Sequence, residues 1–439
     1  MQTHLPSGDG SELGPGLLLA PFRGIRYDLS RVGGLANVTS PPYDVIGPGT
    51  LERLRAASPY NVVHLILPGP LPGSTASGSD GAAALLGAWL AEGVLAADAA
   101  PALYVYEQRA DGLAQRGLIG LVAVDTDAVH PHEAVMPGPV AGRRELMKAT
   151  RSNLEPILLV YNGGNGGGDA FGQPGASGLT DRIADSGEPV ACAVTDDGTT
   201  HRLWAVTDPA LQQAIAADLA PRTALIADGH HRYAAYRELR AEMRGAGAGP
   251  GPWDYGLAFL VDGDAYPLHL GAIHRVLPNL GLAEAAGRAR AAFTVAELPD
   301  DLEAALGSLA KAGTAGPAFL LAGEEGFRLL TDPDQRQLDA AMPLEASPGW
   351  RALDAAVMRE LLLARLWGIK DNERDVQISH DAAEAVKMAA DSGGTAVLGN
   401  PMPIAAVTAL AADGEQVPRK STSFGPKPRT GLVLRSFDT

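Results

Sequence analysis

The segment Thr223-Ala-Leu-Ile-Ala-Asp-Gly-His-His-Arg-Tyr-Ala-Ala-Tyr236 constrains this chain more than any other. Thr223 to Ala227 is a short apolar run that reads as a buried strand, and it stops at Asp228-Gly229. A helical pattern begins at once, with Tyr236, Leu239 and Met243 at spacings of three and four. Gly229 lets the backbone turn sharply and approach a ligand closely. The N–H groups that open a helix face an anion readily, and His230, His231 and Arg232 stand where they add side-chain donors. Asp228 either caps the helix or serves as a ligand to Mg2+ or to the phosphate side of a substrate. This order of elements is the layout of a phosphate cradle. It also fits an ordinary strand–turn–helix carrying two solvated histidines.

At 439 residues the chain has room for two or three domains, each with its own core. Its residues are 46% hydrophobic with few aromatics, which places it among globular rather than disordered chains. A formal charge of −16 argues against nonspecific nucleic-acid binding, which depends on Lys and Arg neutralising phosphates. Cys192 is the single cysteine, so no intrachain disulfide forms and a cysteine zinc site is implausible. No run of about eighteen apolar residues predicts a membrane span. Met1-Gln2-Thr3-His4-Leu5-Pro6 lacks the pattern of a secretory signal, and the cytoplasm is the expected location. Nothing in the sequence indicates an oligomeric state.

The pattern predicts an α/β chain of α+β type. Residues 1–15 read as a flexible leader, 16–100 as an N-terminal α/β region, 101–245 as a phosphate-binding core and 252–439 as a C-terminal α/β region. Expected strands are Asn61–Leu67, Ala102–Tyr106, Gly117–Val124, Leu154–Tyr161, Gly256–Val261, Tyr266–Leu270, Phe319–Ala322, Ala396–Leu398 and Leu432–Leu434. Expected helices are Gly81–Glu92, Arg143–Ala149, Leu282–Phe293, Asp301–Ala312 and Trp350–Leu366, and the proline-rich Pro131–Val140 reads as a loop. The glycine tract at 162–178 fits neither a P-loop nor a dinucleotide turn, and reads as a flexible surface insertion. His130-x-His132 has a spacing that suits a metal, but no third or fourth ligand accompanies it. The stretch Pro418–Arg429 carries Arg419, Lys420, Lys427 and Arg429 without an acidic residue. It is either a solvated tail or a phosphate-binding segment within residues 418–430, with Lys420, Ser421 and Thr422 as its contacts.

Asp228-Gly229-His230-His231-Arg232 resembles the phosphate-binding turn of the ParB/sulfiredoxin superfamily, and is similar to the Asp-Gly-His-His-Arg of the archaeal free serine kinases. His130-Pro131-His132-Glu133 resembles the Pro-His-Glu loop of those kinases. By that resemblance Glu133 is the catalytic residue, with His132 tuning it or positioning substrate. Lys420-Ser421-Thr422 is similar to their Pro-Lys-Thr-Thr segment. Over its length the chain resembles a bacterial domain-of-unknown-function family, DUF1015. The matching segments include Pro41-Pro42-Tyr43-Asp44-Val45, Pro59-Tyr60-Asn61, Ala102-Leu103-Tyr104-Val105-Tyr106 and His274-Arg275. Tyr43 and Asp44, after a rigid Pro-Pro bend, are either a structural turn or part of a substrate pocket. His274 and Arg275 are either a substrate-facing pair or a strand-end ion pair.

The resemblance implies a ParB/sulfiredoxin-like core elaborated at both ends. It implies a phosphotransferase acting on free L-serine or a similar small hydroxylated metabolite. The donor would be ADP, ATP or pyrophosphate with Mg2+ held through the phosphates, and the reaction can run in reverse on phosphoserine. An alternative of a different class is a ParB-like nucleotide-binding switch, or a slow nucleotide hydrolase, that regulates a partner protein.

Overall fold

Tyr255–Asp262 is a strand with all eight residues buried, as a near-continuous apolar run is when both faces of a sheet are covered. In this computed structural model, which describes residues 16–69, 77–110, 112–164, 175–372 and 374–439, that strand is central to a nine-stranded sheet. The leader expected at 1–15 and the middle of the glycine tract, 165–174, lie outside the described residues. The order across the sheet is Val129–His130, Ala224–Asp228, Ile157–Tyr161, Tyr255–Asp262, Leu113–Ala123, Leu103–Ala110, Thr200–Val206 and Ala191–Val194. Leu19–Ala20 pairs with Leu113–Ala123 off that path.

The sheet is mixed. Ala224–Asp228 runs parallel to Val129–His130 and antiparallel to Ile157–Tyr161, which in turn runs parallel to Tyr255–Asp262. The pairings from Tyr255–Asp262 outward to Ala191–Val194 are antiparallel. The register slips between Ile226 and Asp228, a bulge that re-aims the strand's last residue. Helix His230–Gly245 packs on Pro137–Thr150, and that helix packs on Gly78–Ala91. Leu159, Ile226, Tyr233, Tyr236 and Leu260 belong to one core cluster.

Two compact units divide the chain, and neither is continuous in sequence. The first runs to His130 and takes in Val135–Leu268 and Pro426–Thr439. The second comprises Pro131–Ala134 and His269–Gly425. The first unit also holds a small sheet in the order Leu95–Ala97, Gly24–Tyr27, Leu434–Ser436 and Ser152–Asn153. In the second, a six-stranded antiparallel sheet runs Thr294–Leu298, Gly326–Thr331, Phe319–Gly323, Thr395–Gly399, His274–Leu277 and Gln377–Ser379. Leu309, Leu320, Ala385 and Leu398 are buried in its core. His269–Gly271 pairs separately with Ser423–Gly425.

Several elements differ from expectation. Asn61–Leu67 is not a strand: Val63–Ile66 is a helical turn, because the Asn61 side-chain oxygen accepts from Val63 N–H at 2.9 Å and starts a turn instead. A short, fully buried apolar run does not by its periodicity separate the two states. Helix Pro137–Thr150 begins inside the proline-rich stretch expected to be a loop, with Pro137 at its first position, where a missing N–H costs nothing. Trp350–Leu366 is broken into Pro348–Arg351, Asp354–Ala356 and a π-wound Val357–Trp367 that ends at Gly368. The final strand is Leu434–Ser436 rather than Leu432–Leu434.

Because Leu434–Ser436 is the third strand of the small sheet, the last residues of the chain complete the first unit. Removing Pro426–Thr439 strips out Leu432, Val433 and Leu434, all buried. At about 1.5–3 kcal/mol for each such side chain, the loss is comparable to the whole stability of a domain. The expected outcome is an unfolded first unit beside a folded second one, measured by limited proteolysis with mass spectrometry.

Candidate functional site

Strand Ala224–Asp228 delivers its terminal carboxylate to a left-handed glycine, Gly229 at φ 94°, from which helix His230–Gly245 starts. Among the described residues no side chain caps that helix. Only glycine fits the turn, since a Cβ on residue 229 would lie 2.8 Å from Ile157 Cγ2 and 3.2 Å from Arg232 Nε. Asp228 Oδ2 accepts from Arg232 Nη2 at 2.6 Å, and Arg232 Nη1 donates to the Pro156 carbonyl. Arg232 is 2% exposed, and its Nε has no hydrogen-bond partner among the described residues. Burial alone would lower the Arg232 pKa, but Glu155, Asp228 and Asp44 outweigh it and raise it.

Lys427 completes this cluster. Its ammonium lies 2.6 Å from Asp228 Oδ1 and 3.0 Å from Asp44 Oδ2, with the side chain 18% exposed. Burial would again lower the pKa, and again the two carboxylates reverse the sign. Lys427 is carried there by a segment that bridges Ser40 at Thr430, while Arg429 donates to the Thr39 hydroxyl and carbonyl. Beneath the cluster sits Glu155, 5% exposed, accepting from Tyr43 N–H at 3.0 Å with Arg143 Nη1 3.7 Å away. Burial raises the Glu155 pKa against the pull of Arg232 and Arg143. The Arg143 guanidinium stacks over the Tyr43 ring at 4.3 Å, and Arg232 lies 5.9 Å from the same ring.

Of the residues expected to bind ligand, the first unit therefore gathers Asp44, Tyr43, Asp228, Gly229 and Arg232. His231 has a local partner as well, its Nε2 accepting from Met136 N–H at 3.1 Å, immediately before helix Pro137–Thr150. His230 is buried at the first position of its own helix. Three members of the cluster are absent from the site residues expected on sequence: Lys427, Glu155 and Arg143. Lys427 is flanked by Pro426 and Pro428 inside a basic stretch of an acidic chain, and Glu155 is a lone charge before an apolar strand. Either feature is a usable signal.

The second unit gathers a different group. Glu133 forms a parallel bridge with Val417, whose N–H donates to the His132 carbonyl. The Glu133 carboxylate accepts from Lys420 N–H at 3.0 Å, and Lys420 is a non-glycine residue at φ 52°. A left-handed residue of this kind costs about 1–2 kcal/mol, so its surroundings must hold it. Arg275, 4% exposed, supplies part of that hold by donating to the Arg419 carbonyl at 3.0 Å, with Asp371 3.7 Å away. The imidazole of fully buried His132 meets the Thr422 hydroxyl at 2.9 Å and packs edge-on to Phe424, while Ser421 donates to the Pro418 carbonyl. His274 opens strand His274–Leu277, and burial lowers its pKa to about 4, so it is neutral near pH 7. Of the two open readings for His274-Arg275, the contact that Arg275 makes with Asp371 is the ion pair.

No group of three or more His, Cys, Asp or Glu suited to a metal occurs among the described residues, and no described helix is long and apolar enough to cross a membrane. The Asp44 and Asp228 oxygens that face one ammonium are hard ligands of the kind Mg2+ takes in pairs, with phosphate and water completing its shell. The donor set fits a phosphate-borne Mg2+ and not an all-protein site.

A family of proteins of unknown function, DUF1015, matches residues 19–356. No curated protein matches the chain. Among solved structures it is similar to a variant of free serine kinase in complex with ADP, at 14% identity and a TM-score of 0.37, over 70% of this chain and 87% of that one. It is also similar to a conserved hypothetical protein from Pyrococcus furiosus, at 15% identity and a TM-score of 0.35, over 73% and 96% of the two chains. A truncated SbnI from Staphylococcus aureus matches at 12% identity and a TM-score of 0.36, over 72% and 87%.

Gly229→Ala tests the turn. A Cβ at positive φ, pressed against Ile157, is expected to cost about 2–5 kcal/mol. Chemical denaturation measures this, and a cost under about 0.5 kcal/mol would mean that the turn is not as tight as described.

Proposed function

We infer that this chain, which belongs to the DUF1015 family, is a phosphotransferase that places a phosphoryl group on free L-serine or a similar small hydroxylated metabolite. ADP, ATP or pyrophosphate is the donor, and phosphoserine is consumed in the reverse direction. The observation that carries the reading is the uncapped helix start at Gly229, flanked by Lys427, Asp228 and Asp44. Backbone N–H groups at such a start take phosphate oxygens, and the sequence of that turn is the one that resembles a phosphate-binding motif. His230 and His231 are proposed to border the phosphates. Arg232 acts differently, holding Asp228 in place through the buried pair, because both its terminal nitrogens are engaged. Mg2+, when bound, would neutralise phosphate charge. The cytoplasm is the proposed setting, where these metabolites occur.

Glu133 is proposed as the base that takes the substrate hydroxyl proton, a role the sequence resemblance assigns to it. Its carboxylate accepts a hydrogen bond from the Lys420 backbone, which orients the side chain beside the Lys420 segment. Lys420 and Thr422 are proposed as further ligand contacts. Ser421 is expected to stabilise the segment, since its hydroxyl bonds Pro418. Phosphoryl transfer asks a protein mainly for positioning and charge stabilisation, which these groups supply.

Purified protein with Mg2+ and L-serine is expected to form phosphoserine with one of ATP, ADP or pyrophosphate. Glu133→Gln keeps the oxygen that accepts from Lys420 and so preserves the fold, but is expected to lower turnover about 10²-fold or more with donor binding unchanged. Near-normal turnover in that variant would remove Glu133 as the base. Donor binding without any phosphoserine would favour the nucleotide switch.

A further inference from the structure

At the Gly229 turn each cation faces a carboxylate: Arg143 faces Glu155, Arg232 faces Asp228, and Lys427 faces both Asp228 and Asp44. A bare phosphate gains little from such a site, because every cation in it already faces a carboxylate. Arg232 is not available to change partners, being 2% exposed and held by Asp228 and the Pro156 carbonyl. Lys427 is different. Its side chain is 18% exposed, and its ammonium has three protons for two carboxylate partners among the described residues, so it has a donor to spare among them.

We propose that Lys427 is a built-in cation that a metal–phosphate ligand displaces. In the protein alone its ammonium neutralises Asp44 and Asp228. When the ligand enters, those two carboxylates take the divalent cation that accompanies the phosphates, and Lys427 turns its ammonium to the phosphate oxygens. The exchange keeps a cation on Asp44 and Asp228 throughout and forms no covalent bond. It needs a second cationic side chain that stays behind on Asp228, and Arg232, buried and held through both terminal nitrogens, is that side chain. The Arg232 Nε, unpartnered among the described residues, lies against the position where a Cβ of residue 229 would stand, so the guanidinium is aimed at the turn. A lysine suits the moving part, since a flexible point charge can exchange one oxygen partner for another where a planar arginine fork cannot.

This proposal rests on the phosphate-binding reading of the turn and adds its ligand form: a phosphate compound complexed to Mg2+, not the free anion. Titration calorimetry with pyrophosphate, with and without Mg2+, tests it on the full chain. The wild-type protein is expected to bind pyrophosphate at least about tenfold more tightly with Mg2+ present. Asp44→Asn should bind metal-free pyrophosphate better than wild type does and lose most of the Mg2+ enhancement. Lys427→Met should lose affinity for the Mg2+ complex, yet bind Mg2+ alone where wild type does not, seen as a rise in its melting temperature with the metal. If Lys427→Met fails to fold, the Asp44→Asn comparison decides alone, because that substitution leaves Lys427 its Asp228 partner. Equal Mg2+ enhancement in wild type and Asp44→Asn would overturn the exchange, as would wild-type binding that ignores Mg2+ or is not detected. The phosphotransferase reading is judged separately, by phosphoserine formation, and either can fail while the other stands.

Discussion

The buried pair between Asp228 and Arg232 is the interaction on which the candidate site depends. A strand that ends in a carboxylate and a helix that brings a guanidinium four residues later are tied across a single glycine turn. Taking both groups out of water is expensive, and the pair is tolerated because each has further partners: Lys427 on the carboxylate and the Pro156 carbonyl on the guanidinium. Removing one member would leave the other buried and uncompensated, at a cost of about 3–5 kcal/mol. The pair therefore fixes the direction in which Asp228 presents its second oxygen, and with it the position of Lys427.

Around that pair the polar groups serve geometry. Glu155 anchors the backbone of Tyr43, Arg143 covers the ring of the same tyrosine, and Arg429 ties the Lys427 segment to Thr39. In the second unit the same logic holds at Lys420. A backbone conformation that L residues rarely adopt is held by Glu133 on its N–H and by Arg275 on the preceding carbonyl. Observed strain next to a carboxylate is a reason to look for function there, and Glu133 is the residue that the sequence resemblance also selects.

Much of this is legible from the sequence because it is local. The strand, glycine and helix at 223–236 are encoded within that one short segment, and the observed elements match the reading within a residue. Membership in the α/β class follows from the same alternation of short apolar runs with amphipathic ones. What escapes is either short or distant. Val63–Ile66 reads as a strand because four residues, three of them buried apolar ones, have no period to read, and the deciding bond is made by the Asn61 side chain. Lys427 meets Asp228 across about two hundred residues of chain and Asp44 across nearly four hundred. No pattern in a single sequence reports such pairings. The discontinuous units escape for the same reason: Pro131–Ala134 is a four-residue piece of the second unit flanked on both sides in sequence by residues of the first.

Everything proposed for the first unit requires that phosphate be held at the Gly229 turn. The most direct measurement is the backbone amide resonance of Gly229, in protein labelled with 15N-glycine, during titration with Mg2+-pyrophosphate and then with Mg2+-ADP. A saturable shift of that resonance is predicted with either ligand, at the same protein concentration at which calorimetry detects binding. Binding that leaves the Gly229 amide unmoved while other glycines shift would place the phosphate elsewhere and contradict the assignment.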